Sequence, residues 1–167
     1  MTILSDKEIL ELLRGKEKMI TDYMDLGDQI QPSGFDLTLM SVEAICAPGT
    51  LGKSGKRTLP ALREVKPIDS HLELRQGSYI VRYNEHVCLP PDVAALVLPR
   101  SSLMRMGVTL HTAVWDPGYR GRGVGLLAVH NAHGVRIEIG SRIAQMIFMK
   151  ISKKPARKYK GAYQDEG

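Results

Sequence analysis

Short, mostly apolar segments recur along most of the chain, and polar stretches with Gly, Pro and Asn residues separate them. The segments are "VEAICA", "SYIVRYNEHVCL", "VAALVLP", "GVTLHTAVW", "GVGLLAVHN" and "RIAQMIFMKI". They are rich in β-branched residues, and turn signals recur about every ten residues, which is typical of a sandwich or barrel rather than of alternating strands and helices. The pattern predicts an all-β fold.

A helical pattern occurs at the start of the chain. In "SDKEILELLRG" the apolar residues stand at positions 9, 10, 12 and 13, and Glu8 follows Ser5 by three residues. A serine and a glutamate at that spacing form a capping box, and Gly15 is a signal for the end of a helix. We therefore expect a short N-terminal helix within residues 1–15.

Two segments lack a regular pattern. "APGTLGKSGKRTLPALR", residues 47–63, predicts a long surface loop or an irregular hairpin. Residues 153–167 are polar and basic, and we expect a flexible C-terminal arm in the absence of ligand. Without internal repeats, residues 1–167 are expected to fold as a single domain, because their length is typical of one core.

Composition excludes some classes of protein. The hydrophobic fraction is 43%, and no apolar run approaches the roughly 20 residues of a membrane span. "MTILSDKEIL" has acidic residues where a signal peptide is basic and then apolar. Cys46 and Cys88 form no disulfide framework. We expect a cytoplasmic protein without a membrane partner.

The net charge of +5 has two interpretations. A modest excess can serve solubility alone, or it can favour an anionic ligand such as a nucleotide or nucleic acid. Much of the excess lies in "KISKKPARKYKG", close to Tyr159 and Tyr163, and this combination suits base stacking and phosphate contact. With 5% aromatic residues and no recognised motif, nucleic-acid binding is not expected.

Four segments carry candidate chemistry: "QPSGFDLTL", "LPRSSLMRMG", "HTAVWDPGYRG" and "GSRIAQMIF". Singly, each has an ordinary structural interpretation, since Asp36 can be a turn residue that enters a strand and Arg-Ser-Ser is common in loops. A guanidinium beside hydroxyls and main-chain N–H groups also suits phosphate oxygens. Asp116 follows an apolar run at a Pro-Gly turn, so it is either part of an ordinary hairpin or a catalytic carboxylate at a strand end.

Together and in this order, the four segments resemble the motifs of the trimeric dUTPase and dCTP deaminase superfamily. "PSGFDL" is similar to the first motif, "PRSSL" to the second, "WDPGYRG" to the third and "GSRIAQMIF" to the fourth. The similarity covers nearly the whole chain, which as a whole resembles the archaeal dUTPase-like proteins. It implies a distorted jelly-roll of the dUTPase type, a β-sandwich-barrel, and a homotrimer whose active sites form between subunits.

The resemblance assigns roles to individual residues. Asp116 matches the aspartate that in dUTPases orients and activates the water attacking the α-phosphorus. Tyr119 matches the tyrosine whose ring lies under the deoxyribose and excludes a 2′-hydroxyl. The other implied substrate contacts come from the first, second and fourth motifs, including the deaminase-like extension of the second: Asp36, Arg100, Ser101, Ser102, Arg105 and Gln145.

The fifth motif of dUTPases, a Gly-rich arm with an aromatic residue, is matched less well. "YKGAYQDEG" contains Lys160 and Tyr163 but only Gly161 between them. The resemblance implies that this arm closes over the nucleotide, with Tyr163 stacking on the base and Lys158 or Lys160 reaching phosphate.

The implied reaction is hydrolysis of dUTP to dUMP and pyrophosphate, with Mg²⁺ bound mainly through the substrate triphosphate. Such hydrolysis needs a positioned water, a base and cations that neutralise charge on the phosphoryl oxygens. A protein metal site is not expected, because His111, His130 and His133 lack the spacing of metal ligands.

Deamination of dCTP, alone or beside dUTP hydrolysis, is the first alternative, and a non-catalytic deoxynucleotide-binding regulator is the second. Zinc deaminases need a C-x-x-C motif, which is absent. The metal-free deaminases of the family carry a glutamate on the strand after the third motif, and that position holds Leu126 or Ala128, depending on the alignment. Glu138 alternates with apolar residues and is expected to face solvent, and Glu166 lies in the tail. We therefore expect hydrolysis rather than deamination.

Overall fold

Strands prevail in the computed structural model, which describes residues 2–153, 155–156 and 159–166. The helices are α1 (Asp6–Arg14), α2 (Leu26–Gln29) and α3 (Ser101–Arg105). The strands are β1 (Thr2–Ile3), β2 (Ile20–Thr21), β3 (Ile30–Gln31), β4 (Gly34–Ile45), β5 (Thr50–Leu51), β6 (Arg57–Thr58), β7 (Leu62–Glu64), β8 (His71–Leu74), β9 (Gly77–Tyr83), β10 (His86–Cys88), β11 (Val93–Pro99), β12 (Val108–His111), β13 (Arg120–Gly121), β14 (Val124–Val129), β15 (Val135–Glu138) and β16 (Arg142–Lys150). The predicted all-β class is confirmed.

The N-terminal helix begins at the predicted capping box. Glu8 Oε2 accepts hydrogen bonds from the main-chain N–H of Ser5 at 2.9 Å and from its hydroxyl at 2.8 Å. The main-chain hydrogen bond, followed by the hydroxyl, lowers the pKa of Glu8. Ile9 and Leu13 are buried on one face of α1, which attaches the helix to the core.

The main sheet is antiparallel and is built around two long strands, β4 and β16. Its strand order is β1-β16-β4-β9-β14-β12, with β11 also paired to β16, and with β3 and β7 paired to β4. Smaller sheets join β13-β10-β2, β15-β8 and β5-β6. The largest fully buried side chains include Phe35, Tyr83 and Phe148, which lie on β4, β9 and β16.

The structure differs from the predicted pattern in three places. The predicted strand "SYIVRYNEHVCL" is two strands, because the chain leaves β9 after Tyr83 and places Glu85 in the interior before β10. The segment 47–63 contains the β5–β6 hairpin, which was one of the two predicted alternatives, but its end also enters β7, which extends the main sheet. Ser101–Arg105, which include the Ser-Ser of the loop-like Arg-Ser-Ser sequence, form the short helix α3.

Two observations bear on cellular context. Cys46 and Cys88 are unpaired thiols. In the described ranges, the chain has no helix that is both long and apolar enough to cross a membrane. The cytoplasmic location stays a prediction.

Candidate active site

The turn that carries Asp116 is fixed from both sides. Trp115 pairs with Ala95 of β11 through main-chain hydrogen bonds of 3.0 and 2.9 Å. The N–H of Tyr119 donates to the carbonyl of Asp116 at 3.0 Å, and Gly118 has a φ of 82°. A Pro-Gly pair with positive φ at the glycine is a type II turn. The turn leaves Asp116 exposed and places the Tyr119 ring in the interior.

Tyr119 lines a mostly apolar cavity of about 410 Å³, here named the aromatic cavity. Its lining includes Ile80, Trp115, Tyr119, Leu126, Tyr159 and Tyr163. The Tyr119 ring lies edge-on to Trp115 at a centroid distance of 4.9 Å and to Tyr159 at 5.6 Å. Burial raises the pKa of Tyr119 to about 12, so its hydroxyl stays protonated. A cavity of this size and character suits a planar base and a sugar.

A glycine is required where the Trp115 ring crosses the chain. Gly123 has a φ of 49°, and a Cβ at this position would collide with the Trp115 ring. The Gly-rich spacing of "GYRGRG" therefore has a packing reason, which a sequence pattern alone does not reveal.

The described end of the C-terminal arm, residues 159–166, is docked on the same turn. Asp165 N–H donates to the carbonyl of Arg120, and Arg122 N–H donates to the carbonyl of Glu166, both at 2.8 Å. These contacts bring Tyr159, Tyr163 and Glu166 to the aromatic cavity. The arm's flexibility in the absence of ligand stays a prediction.

The arm residues implied as substrate contacts have different positions. Tyr163 is 41% exposed, and the Arg57 guanidinium lies 5.2 Å from its ring centre. Lys160 is exposed. Lys158 lies outside the described residues.

A second cavity, of about 450 Å³, is here named the arginine cleft. Its lining includes His71, Arg100, Ser102, Arg136, Glu138 and Arg142. Asp36 is fully buried beside it, and its Oδ2 contacts both Arg100 and Arg142, the latter at 3.5 Å. Burial, and then repulsion from Arg142, lowers the pKa of Arg100. Two guanidiniums that share one carboxylate leave an excess of positive charge, which favours an anion.

Of the predicted residues of the first, second and fourth motifs, Arg100 and Ser102 line this cleft, and Asp36 contacts Arg100 beside it. Ser101 and Ser102 are exposed in the first turn of α3, while Arg105 is exposed at its end. Gln145 of β16 lies opposite Asp36 of β4 in the sheet register. The structure thus brings together three of the four motifs.

The third motif lies elsewhere in the same chain. Trp115 pairs with Ala95 of β11, and Arg100 follows Ala95 by five residues. At about 3.3 Å per residue along a strand, Ala95 and Arg100 are about 16 Å apart. Because the chain at Trp115 is antiparallel to β11, the next residue, Asp116, lies on the side of Trp115 that is farther from Arg100. The described linings of the aromatic cavity and the arginine cleft have no residue in common.

The structure also locates the position of the deaminase glutamate. Leu126 lines the aromatic cavity and lies opposite His111 in the register of β12 and β14, whereas Ala128 is not part of the lining. This favours the alignment anchored on Asp116, which assigns Leu126 to that position. Glu138 is exposed, as expected, and accepts a hydrogen bond from Ser70 Oγ at 3.1 Å.

The sequence analysis assigned no role in the site to several polar residues that the structure places at one of the cavities or in the interior. Arg142 contacts Asp36, and Glu166 lines the aromatic cavity although it was expected only as part of a tail. Glu85 is fully buried in a polar network with Gln29 and Thr38. The available signal was the polar pair "NE" inside the apolar segment "SYIVRYNEHVCL".

The fold is a jelly-roll with two separate cavities, one lined mostly by apolar and aromatic side chains and the other containing three arginines. The family model described as dCTP deaminase-like matches residues 3–151. The chain therefore belongs to the dCTP deaminase-like family.

Known relatives come from both branches that the motifs resemble. A protein of Archaeoglobus fulgidus named "Probable deoxyuridine 5'-triphosphate nucleotidohydrolase" is 42% identical over 99% of this chain and 98% of its own. A Methanosarcina acetivorans protein of the same name is 38% identical over 99% and 98%. The crystal structure of 2'-deoxycytidine 5'-triphosphate deaminase from Agrobacterium tumefaciens matches 87% of this chain with a TM-score of 0.67 and 25% identity. This chain spans 47% of that protein's chain.

Proposed function

We propose that this protein hydrolyses dUTP to dUMP and pyrophosphate. The observation that carries the proposal is the third-motif turn, which holds an exposed carboxylate, Asp116, next to the aromatic cavity. Full-length archaeal relatives named as probable dUTP nucleotidohydrolases support it. A chain that only bound nucleotides would need no carboxylate at this place, which argues against a non-catalytic regulator.

The aromatic cavity receives the base and deoxyribose in this proposal. Tyr119 contacts the sugar, and Tyr163 packs on the base. Asp116 holds and deprotonates the water that attacks the α-phosphorus, because a carboxylate at hydrogen-bond distance is an effective general base. Displacement at phosphorus then releases pyrophosphate.

The arginine cleft receives the phosphates. Arg100 and the hydroxyls of Ser101 and Ser102 face the phosphoryl oxygens, with Gln145 as a further donor, and Asp36 holds the guanidiniums in place. Donors fixed before the reaction stabilise developing charge without rearrangement.

Mg²⁺ enters as part of the nucleotide. In the part of the chain that the structure describes, no group of three His, Cys, Asp or Glu side chains is arranged to hold a metal ion. The cationic lining of the arginine cleft fits a triphosphate that brings its own ion. When bound, Mg²⁺ neutralises charge on the phosphoryl oxygens.

A homotrimer with sites between subunits accounts for the separation of the two cavities. One chain would supply the aromatic cavity and Asp116, and a neighbouring chain the arginine cleft. An apolar outer face supports such an assembly, because Leu96 and Leu98 of β11 are 40% and 52% exposed and Ile147 lies opposite Leu96. Apolar strand faces of this kind are typical of subunit interfaces.

Deamination of dCTP is the second candidate, and one observation favours it. Glu166 lines the aromatic cavity, which places a carboxylate near the base. Its Oε1 is 3.7 Å from Arg82 Nη1, so this carboxylate already has a cationic partner on β9. We rank deamination second, because Leu126 occupies the position where the family's deaminases carry a glutamate.

Product analysis with dUTP and dCTP side by side tests the proposal. We expect dUMP and pyrophosphate from dUTP, and no ammonia from dCTP. Asp116→Asn should lower kcat by about 10²–10⁴-fold, as is typical for the loss of a general base, with nucleotide binding largely kept. Asp69→Asn, at another exposed turn, is the matched control and should not change kcat. Ammonia release at a rate comparable to dUTP hydrolysis would overturn the proposal.

A further inference from the structure

Glu85 is a fully buried carboxylate that lines neither cavity. Its hydrogen bonds come from neutral groups: Thr38 N–H at 3.0 Å, Thr38 Oγ at 2.6 Å and Gln29 Nε2 at 2.7 Å. Burial raises the pKa of Glu85, and the hydrogen bonds from Thr38 oppose that effect. Burying a carboxylate is unfavourable unless donors replace its water, so this network costs free energy that apolar side chains would not.

Side chains of this network continue the hydrogen bonding along β4 beyond the end of its partner strand β9. β9 pairs with β4 from Leu39 onwards and ends at Tyr83. Beyond that point, the N–H of Thr38 donates to Glu85 Oε2, and the carbonyl of Asp36 accepts from Gln29 Nε2 at 2.9 Å. Two side chains thus satisfy main-chain groups that a paired strand would otherwise satisfy.

This stretch of β4 lies directly behind the arginine cleft. The side chain of Asp36 contacts Arg100 and Arg142, and Arg142 Nη1 also contacts the carbonyl of Asp28, the residue before Gln29. The Arg142 guanidinium therefore contacts Asp36 and Asp28. The carbonyl of Asp36 accepts a hydrogen bond from Gln29, and Asp28 directly precedes Gln29, which also donates to Glu85.

We propose that Glu85 is a positioning residue for the phosphate-binding guanidiniums. Through Thr38 and Gln29 it fixes β4 and the end of α2 at the place where Asp36 and Asp28 orient Arg142 and Arg100. This inference rests on the proposed function, in which the arginine cleft binds the triphosphate. Glu85 itself does not contact substrate.

Replacing Glu85 by glutamine keeps its size but exchanges one acceptor oxygen for an NH₂ group. That group then faces a donor, either Gln29 Nε2 or the N–H of Thr38. The affinity for inorganic tripolyphosphate should fall about tenfold, which corresponds to one lost buried hydrogen bond. The affinity for deoxyuridine, which occupies the aromatic cavity, should stay unchanged. In kinetics, KM for dUTP should rise while kcat changes little.

The experiment titrates the full chain with tripolyphosphate and, separately, with deoxyuridine in a calorimeter. Gln29→Met is the second variant, because it keeps the Glu85 side chain but removes the amide that joins it to the Asp36 carbonyl and accepts from the N–H groups of Met24 and Asp25. It decides the question if Glu85→Gln does not fold. Tyr83→Phe is the matched control, since its buried hydroxyl has no hydrogen-bond partner within the described residues. The control should bind both ligands as the wild type does.

A selective loss of tripolyphosphate affinity in the folded variants supports the inference. Unchanged tripolyphosphate affinity overturns it, and the proposed function then still stands if dUTP is hydrolysed. A parallel loss for both ligands also overturns it, because that pattern indicates general loss of structure. If the wild type binds no tripolyphosphate, the inference fails. If it binds tripolyphosphate but hydrolyses no dUTP, only the proposed function fails.

Discussion

Asp36→Asn tests whether one buried carboxylate holds the arginine cleft together. The substitution keeps the shape of the side chain but removes the charge that Arg100 and Arg142 share. The two guanidiniums then repel each other across a buried amide. We expect the folded protein to persist with a lower free energy of unfolding.

The magnitude follows from the burial of the partners. Breaking a fully buried ion pair costs about 3–5 kcal/mol. Here the carboxylate is buried, but the side chains of Arg100 and Arg142 are 30% and 34% exposed, so water compensates part of the loss. We estimate a loss of about 2–3 kcal/mol. For a domain of this length each kcal/mol corresponds to about 2–4 °C, so the melting temperature should fall by about 4–12 °C.

Thermal unfolding followed by circular dichroism measures the change. Asp92→Asn is the matched control, because Asp92 pairs with Lys150 at 3.8 Å on the surface and such pairs contribute about 0–1 kcal/mol. A melting temperature for Asp36→Asn that differs no more than that of the control would refute the role of Asp36 as the shared counter-ion.

Three further predictions use the same site. Mixing Asp116→Asn subunits with Arg100→Ala subunits should restore part of the dUTP hydrolysis that each lacks; no recovery in mixed oligomers contradicts a site between subunits. Trp115 is the single tryptophan and lines the aromatic cavity, so deoxyuridine should change its fluorescence, and an unchanged spectrum at saturation argues against base binding there. Burial raises the pKa of Glu85 above its ordinary value of 4.5. The wild type should therefore lose stability relative to Glu85→Gln as the pH rises from 4.5 through the raised pKa, and parallel curves of stability against pH would contradict this.

The local features of the fold were predictable from sequence, because they depend on neighbouring residues. The capping box of Ser5 and Glu8 needs only a spacing of three, and strands such as β11 follow from a short apolar run between prolines. The break between β9 and β10 was not predictable in this way. It depends on Glu85 finding donors on Gln29 and Thr38, which are 56 and 47 residues away.

The arrangement of the candidate site was also only partly predictable from the sequence. Motif order placed Asp36 and Arg100 in one functional set, and the structure brings them into contact. Motif order alone did not show which motifs lie apart within one chain, because the separation of Asp116 from Arg100 depends on the pairing of Trp115 with Ala95. A site between subunits, which the resemblance implies, would account for this separation.

The choice between hydrolysis and deamination depends on the wall of the aromatic cavity. Hydrolysis at the α-phosphorus requires only that this cavity bind the base, because the base does not react. Deamination at C4 needs a side chain there that moves protons between water and the ring. On β14 the residues that line the cavity are Val124 and Leu126, and neither has a titratable group. The carboxylate of Glu166 reaches the cavity from the arm and is paired with Arg82. The lining also contains His111, so the preference for hydrolysis rests on Leu126, which stands where the family's deaminases carry a glutamate.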